Sequence, residues 1–340
     1  MEAIQTAALK PRDYASDQEV KWCPGCGDYA VHSAVQKAFA DLALKKDQVA
    51  IISGIGCSSR FPYYMDTYGF HTIHGRAAAV ATGVKLANPS LSVWVMTGDG
   101  DALAIGGNHF IHAQRRNIDM NMVLFNNEIY GLTKGQHSPT TAKGKVLKSS
   151  PLGTIENTFS VGELCLGAGG QFYARVPDTD VKLMAQVMTE AYRHKGFAMI
   201  EVLQNCVIFN DKTHAQITGK ESRALNQLVL EHGKPMLFGA NSEKGIRLNG
   251  LELEVITLGQ GGMGINDVLV HDATNKSNIL HTMLVQMRLP EFPVALGVIR
   301  RAQSSVFDQD FLAQSEAQKS NTPFKGLNDL FHSGNTFQIN

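Results

Sequence analysis

The chain places oxygen- and sulfur-bearing side chains just past short apolar runs. Residues 92–97 (Ser-Val-Trp-Val-Met-Thr) stop at Gly98-Asp99-Gly100-Asp101, and residues 120–125 stop at Asn126-Asn127. A carboxylate and an amide oxygen suit a hard divalent cation such as magnesium, which usually completes its shell with phosphate oxygens and water. Gly98 and Gly100 carry no Cβ, so the backbone there can come close to a pyrophosphate. The sulfur chemistry rests on five cysteines. Cys23 and Cys26 stand in Trp22-Cys23-Pro24-Gly25-Cys26-Gly27, Cys57 follows the apolar run 49–53, and Cys206 follows the run 198–203. Cys165 lies inside an apolar helical stretch and reads as a buried structural thiol. A Cys-x-x-Cys pair serves thiol exchange, zinc or an iron-sulfur cluster. Thioredoxin-like sites follow a buried strand, whereas residues 13–21 are polar and charged. One close pair plus two distant singles is unlike a zinc ribbon. Four thiolates at one sheet edge suit a cubane cluster, and spacing alone leaves zinc open.

A parallel sheet is what brings such groups together. The run 92–97 is apolar and β-branched, 103–117 has helix length and closes on Arg115 and Arg116, and 120–125 is a second strand. The resulting β-α-β unit implies parallel strands with a right-handed crossover. Both strands deliver their ligands to the carboxyl edge, where open α/β sheets bind ligands. Residues 29–44 read as an amphipathic helix with Asp28 as N-cap, and 49–53 as a strand running into Gly54-Ile55-Gly56-Cys57-Ser58-Ser59-Arg60. Ile55 and Gly56 are predicted to face a cofactor ring, and Arg60 to pair with a carboxylate. His74, before Gly75 and the alanine-rich helix 77–87, is placed to contact a diphosphate. His109 and His112 are read as structural. In the turn-rich segment 128–141, Leu132 suits packing on an aromatic ring and Thr133 donation to phosphate, and Lys134 suits an anion. Residues 143–157 read as loop. A helix 158–166, a strand 171–176, a helix 180–195 and a strand 198–203 follow.

Composition bounds the rest. The 340 residues hold one large α/β domain plus an extension, with 31 basic and 31 acidic residues and no basic stripe, which excludes nucleic acid as the expected partner. A hydrophobic share of 44% with 18% charged residues is that of a globular chain with a sizeable core. No apolar run reaches membrane-spanning length, and residues 1–18 lack a signal-peptide core, so a cytoplasmic protein is expected. From residue 207 the chain is expected to wrap as a covering or interface extension rather than add to the sheet. Strands of a small hairpin at 236–239 and 251–256, a strand at 293–299, a helix at 307–319 and a polar, mobile tail beyond 320 make it up.

Gly98-Asp99-Gly100, a gap of a little under thirty residues and then Asn126-Asn127 resemble the signature of thiamine diphosphate enzymes. Asp99 and Asn127 match its side-chain magnesium ligands, and the carbonyl of Ile129 matches the third. With Trp22-Cys-Pro-Gly-Cys-Gly, Gly54-Ile-Gly-Cys-Ser, His74-Gly-Arg and Asn126-Asn through Gly135-Gln, the chain closely resembles the β subunits of 2-oxoacid:ferredoxin oxidoreductases over about residues 20–210. The resemblance implies an α/β thiamine diphosphate-binding fold, a mostly parallel sheet with helices on both faces, plus a C-terminal extension. It implies an arm at 1–20, the cofactor domain at 21–206 and the extension at 207–340. It assigns Cys23, Cys26, Cys57 and Cys206 to one [4Fe-4S] cluster. Ile55, Gly56, Cys57, Ser58, Gly131, Leu132 and Thr133 fall to the thiamine. His74, Gly75, Gly98, Gly100 and Asp101 fall to the diphosphate side, and Arg60, Leu132 and Lys134 to the substrate side. Lys134-Gly135-Gln136 departs from the Gly-Gly-Gln of many relatives.

Glu231-His-Gly-Lys-Pro-Met and Gly245-Ile-Arg-Leu look most like the 2-oxoglutarate type. The implied reaction is oxidative decarboxylation of 2-oxoglutarate with coenzyme A to succinyl-CoA, CO2 and reduced ferredoxin, or its reverse. The implied partners are ferredoxin and an α subunit that supplies the aminopyrimidine side, in an (αβ)2 heterotetramer. Pyruvate or another 2-oxoacid as substrate is one alternative. A non-oxidative thiamine decarboxylase or carboligase with structural zinc is the other.

Overall fold

The computed structural model describes residues 9–337 and 339, so the first eight residues of the expected arm and part of the expected mobile tail lie outside the described residues. Its strands in chain order are β1 (Val49–Ser53), β2 (Tyr68–His71), β3 (Ser92–Gly98), β4 (Asn121–Asn126), β5 (Phe172–Pro177), β6 (Ala198–Leu203), β7 (Gln227–Leu230), β8 (Leu237–Phe238), β9 (Lys244–Asn249), β10 (Glu252–Thr257) and β11 (Val294–Arg301). Eight of them form one sheet in the order β2-β1-β3-β4-β6-β5-β11-β7. Every neighbouring pair is parallel except β5 with β11.

The near-continuous apolar character of the strands has a direct cause. Successive side chains leave a strand on opposite faces, and here both faces are covered. Val93 and Val95 enter one core while Trp94 and Met96 enter the other, and Met122 and Leu124 part from Val123 and Phe125 in the same way. Helices Ala77–Ala87, Gly107–Arg116, Val161–Gly167 and Ile279–Gln286 cover the first face, and Asp28–Asp41 and Val181–Arg193 the second. The expected α/β class with helices on both faces is what forms.

Several local expectations shift. The helix expected over 103–117 is divided into Asp99–Leu103 and Gly107–Arg116. The break falls where Gly106 and Gly107 weaken helical propensity, and the second helix closes on Asn117 in the left-handed conformation, φ 50°. Asp28 is the first residue of its helix rather than the N-cap, which is Gly27. The helix expected from 158 begins at Val161 after Ser160, whose hydroxyl accepts from the Glu163 N–H. The edge strand β2 is only four residues long and exposed throughout, so its alternating Tyr68 and Phe70 bury nothing that would mark a strand.

The C-terminal region departs furthest from expectation. Rather than only wrapping, it returns β7 and β11 to the main sheet beside β5, so the sheet does not end at residue 206. β11 is buried along nearly its whole length and supplies part of the core. The two strands expected to form a small hairpin, near 236–239 and 251–256, are present as β8 and β10 but do not pair with each other: β9 lies between them, in an antiparallel sheet of order β10-β9-β8. Helices Phe307–Asn321 and Leu327–Phe331 follow. At the other end, residues from 9 onward are docked. Tyr14 is buried, and its hydroxyl donates to the carbonyls of Leu44 (2.5 Å) and Phe39 (3.1 Å). No helix among the described residues is long and apolar enough to cross a membrane.

Candidate active site

The carboxyl edge of β1, β3 and β4 opens into a cavity of about 410 Å³. β1 delivers Ile55, Gly56, Cys57 and Ser58, β3 delivers Gly98 to Asp101, and β4 delivers Phe125 and Asn127. His74, Ile129, Gly131, Leu132 and Thr133 complete the part that the sequence pattern anticipated, and Asp28, Tyr130 and Gln136 join them. Gly75 stands back from the wall, and Arg60 and Lys134 are not among the lining residues. Arg60 turns toward Tyr64, which holds its guanidinium pKa above the usual value. Lys134 is exposed at a positive φ of 78° within the turn.

Asp99 is buried at the start of the short helix after β3, and its Oδ2 accepts hydrogen bonds from the hydroxyls of Ser138 (2.5 Å) and Thr140. Burial raises its carboxyl pKa to about 6 despite these donors. Ser138 and Thr140 were missed in the sequence because they return to Asp99 through a loop with no periodic signal. Asn127 accepts the Ile129 N–H through Oδ1 at 3.2 Å, a local turn that fixes the amide oxygen. Asn126 faces elsewhere. Its Nδ2 donates to Glu201 at 2.6 Å, so of the two asparagines only Asn127 lines the cavity.

Asp101 has its oxygens engaged behind the wall. Oδ1 accepts from the Gly75 N–H at 2.7 Å and lies 3.2 Å from His74 Nδ1, and Oδ2 accepts from Thr97 at 2.7 Å. It thereby ties the 74–75 turn to β3. Tyr130 packs so closely on Gly100 that a Cβ there would sit 2.2 Å from its ring, and its hydroxyl donates to the Gly100 carbonyl at 3.0 Å. The glycine turn and the loop after β4 are thus joined across the cavity floor.

The four candidate cysteines form one neighbourhood beside this cavity. A Cβ on Gly131 would lie 3.3 Å from Cys206 Sγ and 3.9 Å from Cys57 Sγ, so the missing side chain leaves a cradle facing two sulfurs. Cys26 feels the charges of Cys57 and Cys206, and Cys57 those of Cys206 and Cys23. Burial first, then Asp28, pushes the Cys57 thiol up to about 12 and the Cys26 thiol higher still. Trp22 organises the approach of the loops. Its indole donates to the Cys57 carbonyl at 2.8 Å while its ring packs among Tyr29, His32, Phe61 and Tyr64. Asp28 is 1% exposed between the sulfurs and the cavity, with Oδ2 unpartnered. Burial pushes its carboxyl up to about 7. Among the described residues no three His, Cys, Asp or Glu side chains converge as one metal ion requires. Cys165 is fully buried away from this group, as expected.

Residues 54–202 match the family described as thiamine pyrophosphate enzyme, C-terminal TPP binding domain. The 2-oxoglutarate oxidoreductase subunit KorB of Mycobacterium tuberculosis is 44% identical over 333 residues, 97% of this chain and 88% of that protein. The 2-oxoacid:ferredoxin oxidoreductase 1, subunit beta, of Aeropyrum pernix is 46% identical over 198 residues, 58% of this chain and 62% of that protein. Among solved structures, 2-oxoglutarate:ferredoxin oxidoreductase from Magnetococcus marinus with 2-oxoglutarate, coenzyme A and succinyl-CoA bound superimposes with a TM-score of 0.77 at 30% identity, covering 98% of each chain.

Proposed function

The chain belongs to the β subunits of the 2-oxoacid:ferredoxin oxidoreductases, on the 2-oxoglutarate branch, and on that premise we propose how its residues serve the reaction. It is an oxidoreductase subunit that converts 2-oxoglutarate and coenzyme A to succinyl-CoA and CO2 with ferredoxin as electron acceptor, or runs the reverse carboxylation. One observation carries this reading: the cavity lined by Gly98, Asp99, Gly100 and Asn127 is also lined by Cys57. A diphosphate turn and a cluster cysteine therefore share one wall, which is what a transfer of electrons from bound cofactor to cluster needs.

The residues fit the groups the family implies. Asp99, Asn127 and the Ile129 carbonyl supply the hard oxygen donors for magnesium. Ser138 and Thr140 aim the carboxylate, as outer-shell partners do. Gly98 and Gly100 leave room for the diphosphate, and Ile55, Phe125 and Leu132 give apolar walls to the thiamine. The Gly131 cradle facing Cys57 and Cys206 supports a cluster on Cys23, Cys26, Cys57 and Cys206. When bound, thiamine diphosphate supplies the carbanion chemistry that releases CO2, and a cluster accepts electrons singly. Arg60, half-buried beside Tyr64, and Lys134, which is exposed, stay assigned to the substrate side only as candidates, since neither lines the cavity of this chain by itself.

The reading includes an α subunit. No acidic residue of a second thiamine-type domain is legible in this chain to promote proton loss from the cofactor. Leu132, which lines the cavity, is 48% exposed, and Ile73 (70%) and Ile105 (57%), next to the His74-Gly75 turn, add apolar surface for a partner to cover. An (αβ)2 assembly fits this need.

The test is substrate-dependent reduction of ferredoxin by the reconstituted αβ complex. Strict dependence on 2-oxoglutarate and coenzyme A supports the proposal. Equal or greater turnover with pyruvate would move the substrate assignment to the other branch. CO2 release without any ferredoxin reduction would favour a non-oxidative enzyme with structural zinc.

A further inference from the structure

Cys26 Sγ has a neighbour that the thiamine cavity does not use. Gln204 stands between the end of β6 and Cys206, it is 1% exposed, and its Nε2 donates a hydrogen bond to Cys26 Sγ at 3.3 Å. The same nitrogen donates to the Asn205 carbonyl at 2.7 Å. The orientation of the amide follows from these partners. Exchanging its nitrogen and oxygen would set an acceptor against a carbonyl and a sulfur, so Nε2 must face them.

The surroundings hold this donor in place. The Gln204 N–H donates to the Asn126 carbonyl at 3.0 Å, the Gly27 N–H donates to the Asn205 carbonyl at 3.2 Å, and the Asn205 N–H donates to Asp178 at 2.7 Å. The Cys23–Cys26 loop is thereby clamped on the segment that carries Cys206. Oε1 of Gln204 is buried without a partner, so the side chain is kept buried at the cost of an unsatisfied acceptor. Thermodynamically that cost needs compensation, and the two donated bonds provide it.

We propose that Gln204 sets the reduction potential of the cluster through an N–H···S hydrogen bond to Cys26; this rests on the cluster reading above. A donor on a ligating thiolate favours the more negative, reduced state of the cluster, and hydrogen bonds to sulfur are among the terms that fix cluster potentials. Gln204 binds neither cluster nor substrate, so it is a positioning residue for the electron-transfer step.

The experiment is a mediated redox titration of the αβ complex, read by electron paramagnetic resonance, with iron and sulfide measured on the same samples. Gln204→Leu removes the donor, and Gln204→Asn keeps an amide that is one methylene too short to reach. The expected result is unchanged iron content with a lower potential, about tenfold in the reduction equilibrium or 59 mV for a one-electron couple. A fully loaded Gln204→Leu complex with an unmoved potential overturns the proposal. If that variant fails to load, an unmoved potential in Gln204→Asn does the same. Wild-type protein without iron and sulfide would overturn the cluster reading itself, and this inference with it.

Discussion

The hydroxyls of Ser138 and Thr140 both donate to one oxygen of Asp99, the proposed magnesium ligand. Ser138→Ala combined with Thr140→Val should weaken magnesium-dependent thiamine diphosphate binding by roughly 10–100-fold, the range seen for outer-shell partners of metal ligands. Isothermal titration with and without magnesium reads this, and unchanged affinity would show the hydroxyls to be structural only. Gly100 makes a second residue-scale point. Its missing Cβ is what lets the Tyr130 ring lie against the turn. Gly100→Ala should displace that ring, costing about 1–3 kcal/mol from overpacking, with cofactor binding lost in parallel. Thermal unfolding and titration of the same variant check both. The candidate ligands were legible in the sequence because Gly98-Asp99-Gly100 and Asn127 each end an apolar strand. Tyr130, Gln136, Ser138 and Thr140 were not assigned their contacts, because a loop with no periodicity does not reveal which way it folds back.

Strands β4, β6 and β5 are locked together behind the site by a buried polar network. Glu201 on β6 accepts from Asn126 on β4 (2.6 Å), from Arg175 on β5 (2.8 Å) and from the hydroxyl of Tyr173. The Arg175 guanidinium and these donors hold the Glu201 carboxyl below the usual range even though burial opposes it strongly. Glu201→Gln would leave the Arg175 charge buried without its counterion, which typically costs 3–5 kcal/mol. A large drop in melting temperature is expected, with weaker thiamine diphosphate binding because Asn126 precedes Asn127. A near-neutral effect on both would show the network to be dispensable. This element-scale lock was invisible beforehand, since charged residues inside apolar strands reveal their partners only once strand order is known. Strand order also explains the misread C-terminal region. β11 looked like an isolated strand, but the exposed flank of β5 left a place beside it that only a late return of the chain could fill. Local periodicity gives strands and helices; it does not give which distant strand completes an edge.

At the scale of the whole molecule, acid should weaken the fold through its buried imidazoles. His194 has both ring nitrogens buried without partners, and burial lowers its pKa to about 4, with Arg301 and Lys195 adding to the effect and Asp119 opposing it. The unfolded chain takes up this proton near pH 6.5 and the folded chain does not until about pH 4. Stability from this group is therefore complete above pH 6.5 and declines as pH falls toward 4, by on the order of 3 kcal/mol. His32, His271 and His281 are lowered by burial in the same direction. His194→Leu should flatten this limb of the stability profile, and an identical acid limb in the variant would remove His194 as a cause. Assembly is the other whole-molecule property. The isolated chain should show no 2-oxoglutarate-dependent ferredoxin reduction, and addition of the α subunit should restore it. The central claim, that a redox cluster lies beside the thiamine cavity, is tested most directly by anaerobic iron and acid-labile sulfide analysis of the purified chain with its absorption spectrum. About four irons and four sulfides per chain, lost in Cys57→Ala, is the predicted result. Stoichiometric zinc without sulfide would contradict it.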